Sequence, residues 1–195
     1  MISNAAAALA CAVVLSVAAP WWGSAELAGR RHRVAVGAAI FSLGVTARFL
    51  DPHWLWTYSV LAGLWTVVAY VDWREKIIPN RLVLLTVLWG LAVTPWTLPG
   101  FVADLATGMG LFLFYLLVNL LTRGGLGMGD VKFSGAQGFV LGWPQGLLAS
   151  AMGVWAAGIY SVVLLLAFHQ GRRHAIALGP FLVLGGLLGM MGIVH

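Results

Sequence analysis

Long apolar stretches separated by short polar segments make up most of this chain of 195 residues. A helix needs roughly 20 apolar residues to cross the hydrocarbon core of a bilayer. Stretches of this kind predict an all-α, polytopic transmembrane bundle of about eight spans. The candidate spans are 3–22, 34–50, 54–71, 80–97, 101–121, 132–142, 145–168 and 179–194. The sixth is short, and its length leaves open whether it crosses fully or re-enters.

The basic residues predict how the bundle is oriented. With the exception of Arg48, Lys and Arg fall in alternate polar segments, at 23–33, 72–81, 122–132 and 169–178. The positive-inside rule makes these segments cytoplasmic, which places the N-terminus outside and requires the short sixth span to be counted. No positive charge precedes the first apolar stretch, so we interpret that stretch as a spanning helix rather than a signal peptide.

The amino-acid composition indicates a membrane protein and limits the partners that it can bind. Hydrophobic residues make up 61% of the chain and charged residues 9%, with a mean hydropathy of +0.94, whereas a soluble domain carries about 25% charged residues. The bilayer is therefore the predicted environment, and the basic pI indicates membrane orientation rather than a nucleic-acid partner. A single cysteine, Cys11, excludes an intrachain disulfide and a multi-cysteine zinc site. We predict no metal and no cofactor.

Two aspartates stand at the ends of apolar stretches. Asp72 follows the third span and precedes the tripeptide IPN at 78–80, and Asp130 lies in GMGDVK at 127–132, just before the sixth span. Ionisable residues at membrane depth usually mark function. Under the predicted topology both lie at the cytoplasmic face. If they face one another, repulsion and desolvation would raise one pKa, so that the pair shares a proton.

Such a pair can hydrolyse a peptide bond. The ionised carboxylate takes a proton from water, and the protonated carboxyl polarises the scissile carbonyl, without a metal or a covalent intermediate. Gly127 and Gly129 would permit close approach of an extended substrate. Pro79 suits the first turn of the fourth span and Asn80 could cap it. Lys132 could neutralise part of the negative site or bind a lipid phosphate.

Taken together, Asp72 with IPN at 78–80, GMGDVK at 127–132 and GPFL at 179–182 resemble the type IV prepilin peptidase family, intramembrane aspartic proteases of the GxGD kind. The resemblance covers roughly residues 54–194. It implies that Asp72 and Asp130 are catalytic. It also implies that the surrounding motif residues bind substrate or shape the site: Pro79, Asn80, Gly127, Gly129, Lys132, Gly179 and Pro180. The implied substrates are prepilin or pseudopilin precursors, whose short basic leaders are removed at the cytoplasmic face of a bacterial (or archaeal) membrane.

The region after the first span departs from the family pattern. Many members carry there a large cytoplasmic segment with a four-cysteine zinc site, which is associated with N-methylation of the product. Here 23–33 is a short basic link without cysteine. We therefore divide the chain into a first span with its link, 1–33, and a peptidase core, 34–195. The expected activity is that of a peptidase-only form, as in tight-adherence pilus systems, without methyltransferase activity.

Two other functions fit parts of the pattern. Asp72 and Asp130 could relay protons or ions in a small transporter, although relay acids usually lie nearer the midplane. The chain could also be an inactive scaffold of a pilus or secretion system. Asn119 and Gln137, polar residues within apolar stretches, are interpreted as interhelical hydrogen-bonding groups. The sequence determines neither the precursor nor the oligomeric state.

Overall fold

A computed structural model of the chain describes residue 37 and residues 55–93, 97–168 and 177–190. All secondary structure within this part is α-helical, with no strand. The helices are α1 (Leu55–Glu75), α2 (Asn80–Val93), α3 (Leu98–Leu121), α4 (Met128–Leu141), α5 (Gln145–Phe168) and α6 (Gly179–Met190). The last six predicted spans each overlap one of these helices. The first predicted span and nearly all of the second lie outside the described residues.

Helix α4 occupies the centre of the bundle. It packs against α2, α3, α5 and α6, and its residues 133–139 are all buried. Glycines allow the closest of these contacts: a Cβ on Gly135 would lie 2.9 Å from the Cβ of Phe112 on α3. Small residues at helix interfaces are the usual way in which membrane helices approach closely. The predicted sixth span is thus a helix enclosed by four others.

Helices α3 and α5 present apolar side chains outwards. Leu98–Leu121 and Gln145–Leu166 are long and apolar enough to cross a membrane, by length and composition. Their exposed residues include Leu105, Leu113, Leu117, Leu120, Ile159, Val162 and Leu166. An apolar surface of this extent favours a lipid or protein partner over water.

Helices α1, α4 and α6 enclose a tightly packed core. Trp65 of α1 and Phe133 of α4 are fully buried and meet edge to face, with ring centroids 6.0 Å apart. Leu182 of α6 is buried in the same cluster. Helix α6 packs against α1, α4 and α5. This packing fixes the two aspartate-bearing helices relative to each other.

The helix ends differ from the predicted span ends. The hydrogen-bonded backbone of α1 continues beyond the apolar stretch to Glu75, and the N–H of Lys76 still donates to the carbonyl of Asp72, at 2.8 Å. Helix α4 likewise begins before its apolar stretch, at Met128. Asp72 therefore lies within the last turns of α1, and Asp130 within the first turn of α4, rather than outside them. Helix formation depends on backbone hydrogen bonds and continues where hydropathy ends.

Candidate active site

Asp72 is bound by the start of α6. Its side chain is 3% exposed, and Oδ2 accepts a hydrogen bond from the backbone N–H of Gly179 at 2.9 Å. Gly179 is the first residue of α6, so the carboxylate also lies at the positive end of a helix dipole. A Cβ on Gly179 would stand 2.7 Å from Oδ2. Any larger residue there would have to displace the carboxylate or the helix.

The segment after α1 turns sharply towards α4. Lys76 has a φ of 56°, a left-handed conformation that is costly for a residue with a Cβ. The turn leads to Ile78, which is buried. Ile78 lies against Gly129, where a Cβ would approach the Ile78 Cβ to 2.9 Å. The connection between α1 and α2 therefore packs directly on the first turn of α4, beside Asp130.

The carboxyl of Asp130 can still form a hydrogen bond that no described residue makes. Its Oδ1 is buried, yet it makes no hydrogen bond with any described residue. Gly127, the N-cap of α4, leaves space for the other oxygen: a Cβ at this position would lie 2.8 Å from Oδ2. A carboxyl placed in this way can bind a water molecule or a substrate carbonyl.

The two carboxyls influence each other electrostatically. Asp72 directly follows the predicted span 54–71 and Asp130 precedes the predicted span 132–142, so both carboxyls lie outside these spans. Burial, and secondarily the negative charge of Asp72, raise the pKa of Asp130 to about 7. Burial also raises the pKa of Asp72, although the Gly179 N–H and the charge of Lys76 oppose this effect. At neutral pH the pair is therefore expected to retain a proton, preferentially on Asp130.

Asn80 and Lys132 contact one another. The Lys132 ammonium donates a hydrogen bond to the Asn80 Oδ1 at 3.1 Å. The sequence predicts instead that Asn80 caps α2, with Pro79 inside the first turn. In the structure α2 begins at Asn80, and the carbonyl of Pro79 accepts the N–H groups of Leu82 and Val83. The side chain of Asn80 is thereby free to connect α2 to α4.

The segment that leads into Asp130 is attached to α3. The side-chain amide of Asn119 donates to the carbonyl of Leu126, and the N–H of Gly124 donates to the carbonyl of Asn119 at 2.8 Å. Sequence reasoning identified Asn119 as a hydrogen-bonding group but missed that it supports this loop. It also missed the packing of Ile78 on Gly129. Pro180 occupies the first turn of α6, next to the Asp72 ligand Gly179.

The described residues hold no cluster of three or more His, Cys, Asp or Glu side chains suited to a metal ion.

Comparison with known proteins places this geometry in context. The model of the type IV leader peptidase family matches residues 59–169, which include both Asp72 and Asp130. The chain belongs to this family. The resemblance inferred from the motifs is thereby confirmed at the level of the type IV leader peptidase family.

Two relatives carry the name prepilin leader peptidase/N-methyltransferase. The protein of Bacillus subtilis (strain 168) is 27% identical, over 68% of this chain and 54% of its own length. The protein of Pectobacterium carotovorum subsp. carotovorum is 29% identical, over 70% of this chain and 51% of its own length. The chain thus spans about half the length of these relatives. No solved structure gives a significant match.

Proposed function

We propose that this member of the type IV leader peptidase family is an intramembrane aspartic endopeptidase. Its substrates are prepilin or pseudopilin precursors, from which it removes the short basic leader at the cytoplasmic membrane face. The observation that carries the proposal is the placement of two carboxyls near one end of the bundle. Asp72 is buried and bound by the first residue of α6, and the buried Oδ1 of Asp130 makes no hydrogen bond with a described residue. Asp130 lies close enough to Asp72 for that charge to raise its pKa. The names of the two relatives support the choice of substrate.

In the proposed reaction the two carboxyls have different protonation states. Asp72 is the ionised partner, because the Gly179 N–H stabilises its negative form. It takes a proton from water as the water oxygen attacks the scissile carbonyl carbon. Asp130 is the protonated partner and donates its proton to the carbonyl oxygen, giving a gem-diol. Protonated Asp72 then donates to the departing nitrogen, Asp130 recovers a proton from the diol, and the C–N bond breaks.

The neighbouring motif residues are proposed to shape this site rather than to exchange protons. Gly179 orients Asp72, Gly127 leaves space for the Asp130 carboxylate, and Gly129 lets Ile78 pack on the first turn of α4 beside Asp130. Their nearness to the carboxyls supports this assignment. The remaining proposed site-shaping residues are Pro79, Asn80, Lys132 and Pro180.

We further propose a multi-pass protein of the bacterial or archaeal cytoplasmic membrane, with about eight spans and the N-terminus outside. Residues 1–33 form a first span with its basic link, and 34–195 form the peptidase core. With 14 residues, α4 is about 21 Å long, shorter than a hydrocarbon core of about 30 Å. Enclosure by its neighbours would let such a short helix be accommodated in the bundle, and we propose that its first turn, with Asp130, lies at the membrane interface.

The test is cleavage of a synthetic precursor by the purified protein in detergent or liposomes. We expect one cut at the leader boundary, found by mass spectrometry, and none with Asp130→Asn. A folded wild-type protein that leaves the precursor intact but conducts protons in a liposome flux assay would favour the relay instead. A protein that does neither would be a scaffold. Including a labelled methyl donor tests the further prediction that the product is not methylated.

A further inference from the structure

Below the candidate site, Gln137 makes a buried polar contact between two helices. Its side chain on α4 is fully buried, and Nε2 donates a hydrogen bond to the Leu182 carbonyl of α6 at 2.8 Å. A Cβ on Gly186 of α6 would overlap both this amide and the ring of Trp65 on α1. We call Trp65, Gln137, Leu182 and Gly186 the three-helix junction.

On α1, α4 and α6 the junction lies at the same number of residues from the site. Trp65 precedes Asp72 by seven residues on α1, Gln137 follows Asp130 by seven on α4, and Gly186 follows Gly179 by seven on α6. Seven residues are about two helical turns, or roughly 10 Å. Each site group is therefore connected to the junction by a rigid helical segment of the same length.

Helix α6 connects the two aspartate-bearing helices through two hydrogen bonds. Its first residue donates to Asp72 of α1, and one turn later its Leu182 carbonyl accepts from Gln137 of α4. A shift of α4 along α6 would break the second contact and move Asp130 relative to Asp72. The Gln137–Leu182 hydrogen bond therefore depends on the same longitudinal position of α4 along α6 as the spacing of the carboxyls does.

The side-chain amide of Gln137 is not the choice that would make the fold most stable. Its Oε1 is buried and makes no hydrogen bond with a described residue, and the same holds for Trp65 Nε1. An unsatisfied buried polar atom costs stability, and interhelical hydrogen bonds in membrane proteins contribute little on average. An apolar side chain of similar length would fill the same space without this cost. A residue that lowers stability at a buried position is a candidate for a role in function.

We propose that Gln137 is a positioning residue of the peptidase, which sets the register of α4 against α6 and thereby the approach of Asp130 to Asp72. The inference rests on the proposed function. It goes beyond the motif residues, because Gln137 lies outside all three motifs and acts on the reaction only through helix position.

The test compares Gln137→Met with wild type for precursor cleavage and thermal unfolding. We expect kcat to fall by about ten- to a hundredfold, as for remote changes that misplace reacting groups. KM should stay within about twofold and the melting temperature should be unchanged or higher. Thr86→Val is the matched control: Thr86 is also fully buried, but its hydroxyl donates only within α2, to Leu82. Its kcat should stay near the wild-type value.

Gly186→Ala approaches the same contact from α6 and serves as the second variant. Its added Cβ should displace the Gln137 amide and lower kcat, and combining it with Gln137→Met should cost less than the product of the two separate losses. Unchanged kcat in Gln137→Met, or a kcat loss matched by a loss of folded protein, would overturn the inference. So would failure of both variants to fold, since Gln137 would then be a purely structural residue.

Wild-type protein that does not cleave, or Asp130→Asn protein that does, would overturn the proposed function instead. Active wild type, inactive Asp130→Asn and fully active Gln137→Met would leave the proposed function intact and remove only the role of Gln137.

Discussion

The outer faces of α3 and α5 differ from the three-helix junction. Both contain large apolar side chains, but the outer faces expose them and the junction buries them. On α3 and α5, large apolar side chains such as Leu117 and Leu166 point outwards. At the three-helix junction, Trp65 and Leu182 are fully buried beside the Gln137 amide. In a bilayer the outward faces need no precise partner. A polar group in the interior needs one, so precise geometry is concentrated there.

Glycine illustrates the contrast. A methyl group added to Gly158 on α5 would have no neighbouring atom within 4 Å, whereas one added to Gly179 at the site would stand 2.7 Å from the Asp72 carboxylate. On the outer face glycine is interchangeable with other small residues. At the site its lack of a Cβ leaves space for the Asp72 carboxylate that accepts a hydrogen bond from the Gly179 N–H.

The largest loss of activity is expected when one of the two site carboxylates is removed. Asp72→Asn or Asp130→Asn should lower kcat by at least about a thousandfold, because general acid–base catalysis by each partner is lost. Asp104→Asn on α3 should keep wild-type activity, since Asp104 lies near the other end of the bundle, beside Gly142. Precursor cleavage by equal amounts of membrane-inserted protein measures all three. Substantial cleavage by either site variant would contradict the paired-acid assignment.

The next largest effect is expected at the glycine that binds Asp72. Gly179→Ala should lower kcat by about a hundredfold, because the added Cβ displaces the carboxylate from its N–H donor. Gly158→Ala makes the same chemical change on the open face of α5 and should leave kcat within about twofold of wild type. Equal losses in the two variants would contradict the Asp72 contact as the cause of the effect.

The helices and the motif residues could be predicted from the sequence for physical reasons. Apolar length marks a helix long enough to cross a membrane, as in α3, and a carboxylate such as Asp72 at the end of an apolar stretch is costly enough to stand out. Helix ends were predicted less well, because hydropathy ends at Val71 while the backbone hydrogen bonds of α1 continue to Glu75.

Contacts between segments that are far apart along the chain could not be predicted from the sequence. Asn80 and Lys132 are 52 residues apart and Gln137 and Leu182 are 45 apart, and no local pattern pairs them. Gln137 could be recognised as polar within an apolar stretch. Its partner, a backbone carbonyl, has no signature in the side-chain sequence.

The pH dependence of cleavage should report the coupling of the pair. A raised pKa means that Asp130 keeps its proton to about pH 7, so the singly protonated pair persists at neutral pH. Above that pH both carboxyls become ionised, and kcat should fall by about tenfold per pH unit. The measurement is kcat between about pH 6 and pH 9 with a precursor that lacks histidine. A constant kcat up to about pH 9 would contradict a proton held on Asp130.

The smallest effect is expected where the site meets water, at the hydrogen bond between Lys132 and Asn80. Both side chains are exposed, so water can replace much of the contact, and Lys132→Met or Asn80→Ala should each lower kcat by about threefold. The double variant should be no worse than either single variant, because both remove the same bond. Arg123→Met, which removes an exposed positive charge from the loop before Asp130, controls for charge alone. Fully multiplicative losses would mean that the two residues act separately, and a loss confined to KM would indicate that Lys132 contacts the precursor or lipid rather than positioning α4 against α2.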